Sequence, residues 1–409
     1  MTNPSLKQDD TQKIWEFIPI SEYKSPEVPV SQVTRKGLSQ IWRIFRQEEE
    51  KSEVAFKPES DLRTLDASQL EQISSAPNWE AGGSALRETL QTWLKSDRIG
   101  QNIVFLVEPP HGGHAEKLMA WATQNDVTIV SPPTPEQIME NADVWLASLP
   151  ERDTFWIYPT LEKTYLRHAS GLSLMRRFLD RAASGAMGLG VIGCDSWAWA
   201  YLQHVWHGSW PSAITSKASD QTQLVRQFQR MLRPKRGTTY LFCQADNGAP
   251  LFSTGKEDNN SEKTSDYLQQ LAAFSHGNIG VAQAIWRDSL CIEPDEALRE
   301  KQNDDEDATL ASQVIWVTPW DDLEHPSLPA KASEQVAFVL HTLLLHNGLS
   351  FELLQQLLPL AGNQIMETVS QLTEAGLVTY QDKTWKVAAR GYPVVRSYLK
   401  SNGYLCDAF

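Results

Sequence analysis

From Glu108 to Ala115 the sequence reads Glu108, Pro109, Pro110, His111, Gly112, Gly113, His114, Ala115. It follows the apolar run Ile103–Val107 and precedes a helical pattern in Ala115, Leu118, Met119 and Ala122. Strand, glycine loop and helix in that order suit an anion, because loop amides and the positive end of the helix converge on one point. Laid on the phosphate-loop pattern Gly-x-x-x-x-Gly-Lys-Ser/Thr, the window keeps Gly113 and a Pro-x-x-Gly shape from Pro110 to Gly113. In that pattern the lysine neutralises phosphate charge and the hydroxyl holds Mg²⁺. Here those two positions read His114 and Ala115. A neutral imidazole, with an ordinary pKa of about 6.5, is a poor substitute for a permanent ammonium. Alanine ligates no metal. Glu108, at the first glycine position, is expected to set a carboxylate against phosphate oxygens.

Other polar groups have plainer readings. His111 and His114, with Glu116 close by, have metal-ligand chemistry, but one loop supplies too few donors for a closed site. They read as solvent-facing loop histidines, and no metal is expected. Asp195 and Ser196, after the apolar stretch Gly190–Cys194, make a good helix N-cap. Glu162 has Lys163, Arg167 and His168 as neighbours and reads as a surface salt-bridge partner within an amphipathic helix, LEKTYLRH. No Ser/His/Asp or Cys/His arrangement has a motif context, so nucleophilic catalysis has no support.

The elements that must position these groups follow from pattern. The chain has 409 residues, 41% of them hydrophobic, enough for two to four domains and more than one core. A formal charge of −14 argues against broad contact with nucleic acid or anionic lipid. The cysteines Cys194, Cys243, Cys291 and Cys406 form no C-x-x-C pair and read as reduced thiols of a cytoplasmic protein. The N-terminus has no apolar h-region, and no run reaches the roughly 20 residues of a membrane span. Residues to about Gln12 read as a mobile tail, Trp15–Val30 as a strand or strap, Leu38–Glu50 as a helix and Lys51–Pro77 as a polar link.

Beyond Ala85–Leu94, an amphipathic helix, short apolar strands alternate with helices. The strands are Ile103–Val107, Val127–Val130, Thr154–Tyr158 and Gly190–Cys194, and helices are expected at Ala115–Asn125, Pro135–Leu146, Ser173–Ser184 and Ser196–His204. This is the signature of an α/β fold with a parallel sheet sandwiched by helices. A ligand would sit at the carboxyl ends of the strands, the edge carrying His111–His114, Pro159–Glu162 and Asp195–Ser196. Further on, Asp220–Leu232, Ser265–Phe274 and Val281–Leu290 read as helices, Thr238–Cys243 and Val314–Trp320 as strands, and Glu300–Asp307 as an acidic linker. Near the C-terminus three helices (Glu334–His346, Phe351–Leu358, Gln364–Ala375) precede two strands around Gln381–Lys383, the order of a winged helix.

On these residues the chain resembles a P-loop ATPase of the AAA+/STAND type with a C-terminal winged helix, in the domain order of origin-recognition ATPases. Four pieces carry the resemblance. They are the loop Glu108–Ala115, a Walker B-like stretch Thr154–Leu172, the strand GVIGCDSWAW with Asp195 and Ser196 where a first sensor stands, and FSHGNIGVAQAIW with Gly277 and Asn278 at a lid turn. The resemblance implies an N-terminal extension over residues 1–84, a degenerate P-loop core over 85–217, a helical lid region over 218–312 and a winged-helix domain over 313–409. It also places Pro159 where the Mg²⁺ aspartate belongs, leaving Glu162 as the acid nearby. With lysine, hydroxyl and aspartate all replaced, ATP hydrolysis is expected to be lost, and no cofactor is expected.

Three readings follow: a pseudo-ATPase acting as a scaffold or regulatory protein-interaction subunit, paired with an active relative or with itself; a nucleotide-binding switch that still uses the Gly112 and Gly113 amides; and a DNA-associated regulator. Against the last, the third helix of the wing carries Gln364, Glu367, Ser370, Gln371 and Glu374 and no Lys or Arg, so DNA is the less favoured partner.

Overall fold

The computed structural model describes residues 14–27, 62–95, 101–234, 238–252, 266–294, 311–329 and 333–409. The expected tail up to about Gln12, the helix Leu38–Glu50 and the acidic linker lie outside them. The chain forms two compact units. One takes the described parts of Met1–Lys24, Asn78–Lys217 and Pro326–Phe409, the other those of Ser25–Pro77 and Ala218–His325.

The first unit is built on a six-stranded sheet. In chain order its strands are β1 (Phe17–Pro19), β2 (Ile103–Glu108), β3 (Thr128–Ile129), β4 (Phe155–Tyr158), β5 (Leu189–Asp195) and β6 (Ala213–Ser216). They lie side by side as β1-β6-β2-β5-β4-β3. All neighbours are parallel except β1, which pairs antiparallel with β6 through Phe17 and Ser216. Every residue of β2 is buried, as a central strand covered on both faces requires. Alternation along the strands divides the core. Val104, Leu106, Ile157 and Val191 pack against Leu86 and Leu90 of α1 (Trp79–Lys95) and Leu118 and Trp121 of α2 (His114–Asn125). The opposite face sends Trp156 and Tyr158 to Phe178 of α3 (Ser173–Ala183), and Phe105 to Trp199 of α4 (Ser196–Val205).

Two expected helices change shape. Pro135–Leu146 is two short helices, Pro135–Met139 and Ala142–Ala147, interrupted at Glu140 and Asn141. The stretch LEKTYLRH is no amphipathic helix: a 3-10 turn, Leu161–Lys163, runs into irregular chain that buries Tyr165 and Leu166. Pro159 just ahead favours extended backbone in the residue before it, and Tyr165 and Leu166 go into the core rather than along one helix stripe.

The C-terminal part belongs to the same unit. α5 (Glu334–Leu345), α6 (Phe351–Leu357) and α7 (Gly362–Glu374) precede the antiparallel ribbon β7 (Val378–Gln381) and β8 (Thr384–Val387), and α8 (Tyr392–Ser401) closes the order. Asp382 and Lys383, at the ribbon tip, both have positive φ, 50° and 62°, the geometry of a tight hairpin turn that matches strand twist. α5 is buried almost all round, from Val336 to Leu345, because it packs on α4 as well as on its own neighbours.

The second unit has a mixed four-stranded sheet in the order Arg63–Thr64, Leu290–Ile292, Ala311–Val317, Thr238–Gln244. The same unit holds the helices Gln221–Met231, Tyr267–Phe274 and Ile279–Ser289. Phe228 and Trp286 stack at 4.9 Å on its helical side. Among the described residues no helix is long and apolar enough to cross a membrane.

Candidate functional site

The loop edge of the first unit collects the groups singled out by sequence. β2 and β5 are in register with Glu108 opposite Asp195, so both acids stand at the same end of the sheet. Beyond Glu108 the chain turns at once: the Gly112 N–H donates to the Pro109 carbonyl at 2.9 Å. Pro110 occupies the second place of this turn and His111, at φ 67°, the third, which is the type II pattern. Gly113 is left-handed at φ 83°, and a Cβ there would stand 2.5 Å from the Trp79 ring. Only glycine fits under that ring. Thus the Gly112 amide is engaged inside the turn and the Gly113 backbone is covered by tryptophan.

Glu108 does not confront the loop as a bare charge. Its carboxylate accepts from Lys117 Nζ at 2.7 Å and from the Ser216 hydroxyl, and the Glu108 and Lys117 side chains are each 1% exposed. Lys117 Nζ also donates to Ser216 Oγ at 2.9 Å and lies 4.1 Å above the Trp15 ring, with the Trp79 and Phe17 rings at 5.4 and 5.9 Å. An ammonium enclosed by aromatic faces and one carboxylate has exchanged its water for directed contacts. The expected repulsion of phosphate by Glu108 is therefore replaced by an internal ion pair.

His114 is not solvent-facing and Glu162 is not a surface acid, both being buried, while His111 is half-buried. His114 Nε2 meets Glu162 Oε1 at 3.1 Å, with both side chains buried. Glu162 Oε2 accepts the Asp195 N–H at 3.2 Å, while Asp195 Oδ1 accepts the Trp197 N–H at 2.9 Å as the N-cap of α4. Burial alone lowers the pKa of His114, but the Glu162 carboxylate, helped by Asp195 and Glu108, raises it to about 9. For Glu162, burial pushes upward and His114 overrides it, holding the carboxyl below its ordinary value. Burial, then the Glu162 charge, drives Asp195 well above the carboxylate range. Its Oδ2 is buried with no hydrogen-bond partner among the described residues. The result is a charged His114–Glu162 pair beside an acid, Asp195, that burial and the Glu162 charge push towards its protonated form. Pro159, buried, contributes packing and no charge, and Ala115 is half-buried at the start of α2. Among the described residues no three His, Cys, Asp or Glu side chains gather as a metal site.

Sequence reasoning missed the groups that close this edge. Lys163 Nζ donates to the carbonyls of His346, Asn347 and Gly348 at 2.7, 2.9 and 3.0 Å, a cation at the C-terminal end of α5. The Tyr165 hydroxyl donates to the Leu345 carbonyl at 2.6 Å. His111 Nε2 donates to the Val387 carbonyl at 3.1 Å. Trp197 Nε1 donates to the Tyr392 hydroxyl at 3.0 Å, and Asp407 accepts from Tyr392, from Arg396 and from Ser196. The segments that follow β2, β4 and β5 are thus each hydrogen-bonded to the C-terminal elements. A cavity of about 520 Å³, lined by Asn102, Thr154, Gly188 and Leu189 among others, lies at the opposite ends of the strands.

Gly277 and Asn278 belong to the other unit. There Asn278 N-caps the helix Ile279–Ser289, its Oδ1 accepting the Gly280 N–H at 3.0 Å, and Gly277, at φ 72°, accepts the Ser219 N–H at 2.9 Å.

No protein-family model matches the sequence, and no curated protein matches it. Among solved structures, the chain is similar to a Walker-type ATPase of Pyrococcus abyssi, at 12% identity and a TM-score of 0.29 over 80% of this chain and 96% of that one. It is also similar to Cdc6p of Pyrobaculum aerophilum, at 14% identity and a TM-score of 0.30 over 83% and 98% of the respective chains.

Proposed function

We propose that the chain is a pseudo-ATPase of AAA+/STAND-like build, acting as a scaffold or regulatory protein-interaction subunit that pairs with an active ATPase relative or with itself. One observation carries the reading. Glu162, the acid nearest the lost Mg²⁺ aspartate, is held by His114, which itself stands where a phosphate-binding lysine would be. The two groups neutralise each other, leaving neither a cation for phosphate nor a carboxylate for magnesium. The Gly112 turn and the Glu108–Lys117 pair work in the same direction. We place the chain in the cytoplasm, which four widely spaced cysteines without a C-x-x-C pair suit.

Titration calorimetry with ATP and Mg²⁺ tests this. No binding is expected below millimolar nucleotide, and micromolar binding with turnover overturns the reading. It would restore the switch reading if binding came without turnover.

As for partner, the exposed face of α7 offers Glu367, Ser370, Gln371 and Glu374. A helix without cations gains nothing from counterion release on DNA. We therefore expect no gel shift of a random duplex even at low salt, whereas a salt-sensitive shift there would favour the DNA-associated reading instead.

A further inference from the structure

We infer that the joint between the loop edge of the sheet and the C-terminal helices is acid-sensitive, opening when three histidines, the buried His341 and His346 and the half-buried His111, take up protons. The inference concerns the joint itself and stands whether or not the chain is a pseudo-ATPase.

The three side chains lie on this one joint, and bonding geometry opposes a second proton on His341 and His346. His346 Nε2 accepts the Arg167 N–H at 3.4 Å, so that nitrogen carries no proton. A proton added there would face another N–H. Its Nδ1 is buried without a hydrogen-bond partner among the described residues, and the pull of the Glu162 carbonyl on a proton there is outweighed by burial and by the cations. His341 donates from Nε2 to the Leu405 carbonyl at 3.2 Å, and its Nδ1 is likewise buried and unpartnered among the described residues. A second proton on that ring would be a buried donor with no acceptor, which is costly. His111 spends one nitrogen on the Val387 carbonyl.

The charges acting on them are cationic, the Asp407 carboxylate of the same joint being engaged by Arg396, Tyr392 and Ser196. Lys386, from β8, faces His111, whose ring also meets that of Tyr392 at 6.3 Å. Arg167, from the loop after β4, faces His341, which is flanked by the rings of Trp197 at 6.0 Å and Tyr404 at 5.1 Å. His346 faces Lys163, Arg167 and His341 and lies 4.9 Å from the Tyr165 ring. The Glu162 carboxylate, the acid closest in sequence to this loop, is engaged by His114.

Electrostatics agrees with the geometry. Burial first, then the cations named, lowers His111 and His341 to about 4 and His346 to about 3, from an ordinary value of 6.5. Because these values are depressed in the closed joint, protons bind the open form preferentially. Closure is therefore complete above pH 6.5 and weakens as pH falls from there towards 4. Each proton taken up on opening raises the opening constant tenfold per pH unit, so three give up to about a thousandfold per unit.

Hydrogen–deuterium exchange on the full chain at pH 7.5, 6.0 and 5.0, corrected for intrinsic rates, tests this. Peptides over 341–349, 385–392 and 404–409 are expected to lose protection at pH 5.0 while peptides over 103–108 and 189–195 keep theirs. Uniform protection at all three pH values, or loss everywhere at once, overturns the inference. In a His111→Asn, His341→Gln, His346→Gln variant the acid step disappears, and a variant that keeps the wild-type step overturns it. Should that variant not fold, the wild-type exchange pattern alone decides.

Discussion

Replacing Lys117 by methionine is expected to lower the unfolding free energy of the first unit by about 3–5 kcal/mol, read as a fall in the urea midpoint. The size follows from what is left behind. Methionine fills the space between Trp15 and Trp79, so packing changes little. The Glu108 carboxylate, 1% exposed, then has the Ser216 hydroxyl and no cation. An uncompensated buried charge is among the few defects that reach this magnitude. Converting both partners, Lys117→Met with Glu108→Leu, is expected to recover most of the loss, because it removes the charge together with its counterion. A double variant as unstable as Lys117→Met would show that aromatic packing of the ammonium, rather than the charge pair, stabilises the loop.

The second large effect depends on pH. His114→Leu leaves Glu162 and Asp195 buried side by side without a cation, and about 3–5 kcal/mol is expected to be lost near pH 6. The sign follows from the shifts. His114 is raised to about 9, so its contribution is complete below the ordinary 6.5 and is lost as pH rises through 9. Glu162 is lowered, so its contribution is present above about 4.5 and is lost as pH falls through its depressed value. Wild-type stability should consequently decline between pH 6.5 and 9, and the variant should lack that decline. Urea midpoints measured at half-unit steps from pH 6 to 9.5 check it. Parallel curves for the two proteins would mean that His114 is neutral in the fold.

Much of this was legible in sequence, and the misses have particular causes. Ile103–Glu108 and Leu189–Asp195 are continuous apolar runs with helical patterns after them, and the sheet follows. Lys117 falls on the same helix stripe as His114, Leu118 and Trp121, a position that marks a buried cation, but its partner Glu108 returns to it only through the strand–turn–helix geometry. Glu162 was assigned helical neighbours because LEKTYLRH has the period of a helix, whereas tertiary burial of Tyr165 won. The helix Ala67–Ile73, hidden in a polar link, announces itself locally: Asp66 and Gln69 form a capping box. Strand β6 has only Ile214 and Thr215 as β-formers, too short a signal to separate from a loop. The histidines of the joint could not be read at all, since each is defined by a carbonyl or N–H far away in sequence.

The first unit is assembled from segments separated by the whole second unit, and this has a consequence for how the protein is made. Ser196 and Asp407, which hydrogen-bond at the joint, are 211 residues apart. At about 5–20 residues per second, synthesis of that interval takes roughly 10–40 s. For that time the nascent sheet has its helices but not its C-terminal cover, with the loops after β4 and β5 unsatisfied. Long-range closure of this kind is slow and exposes apolar surface in the meantime. The loops after β4 and β5 gain the last of their closing partners only once Asp407 has been made.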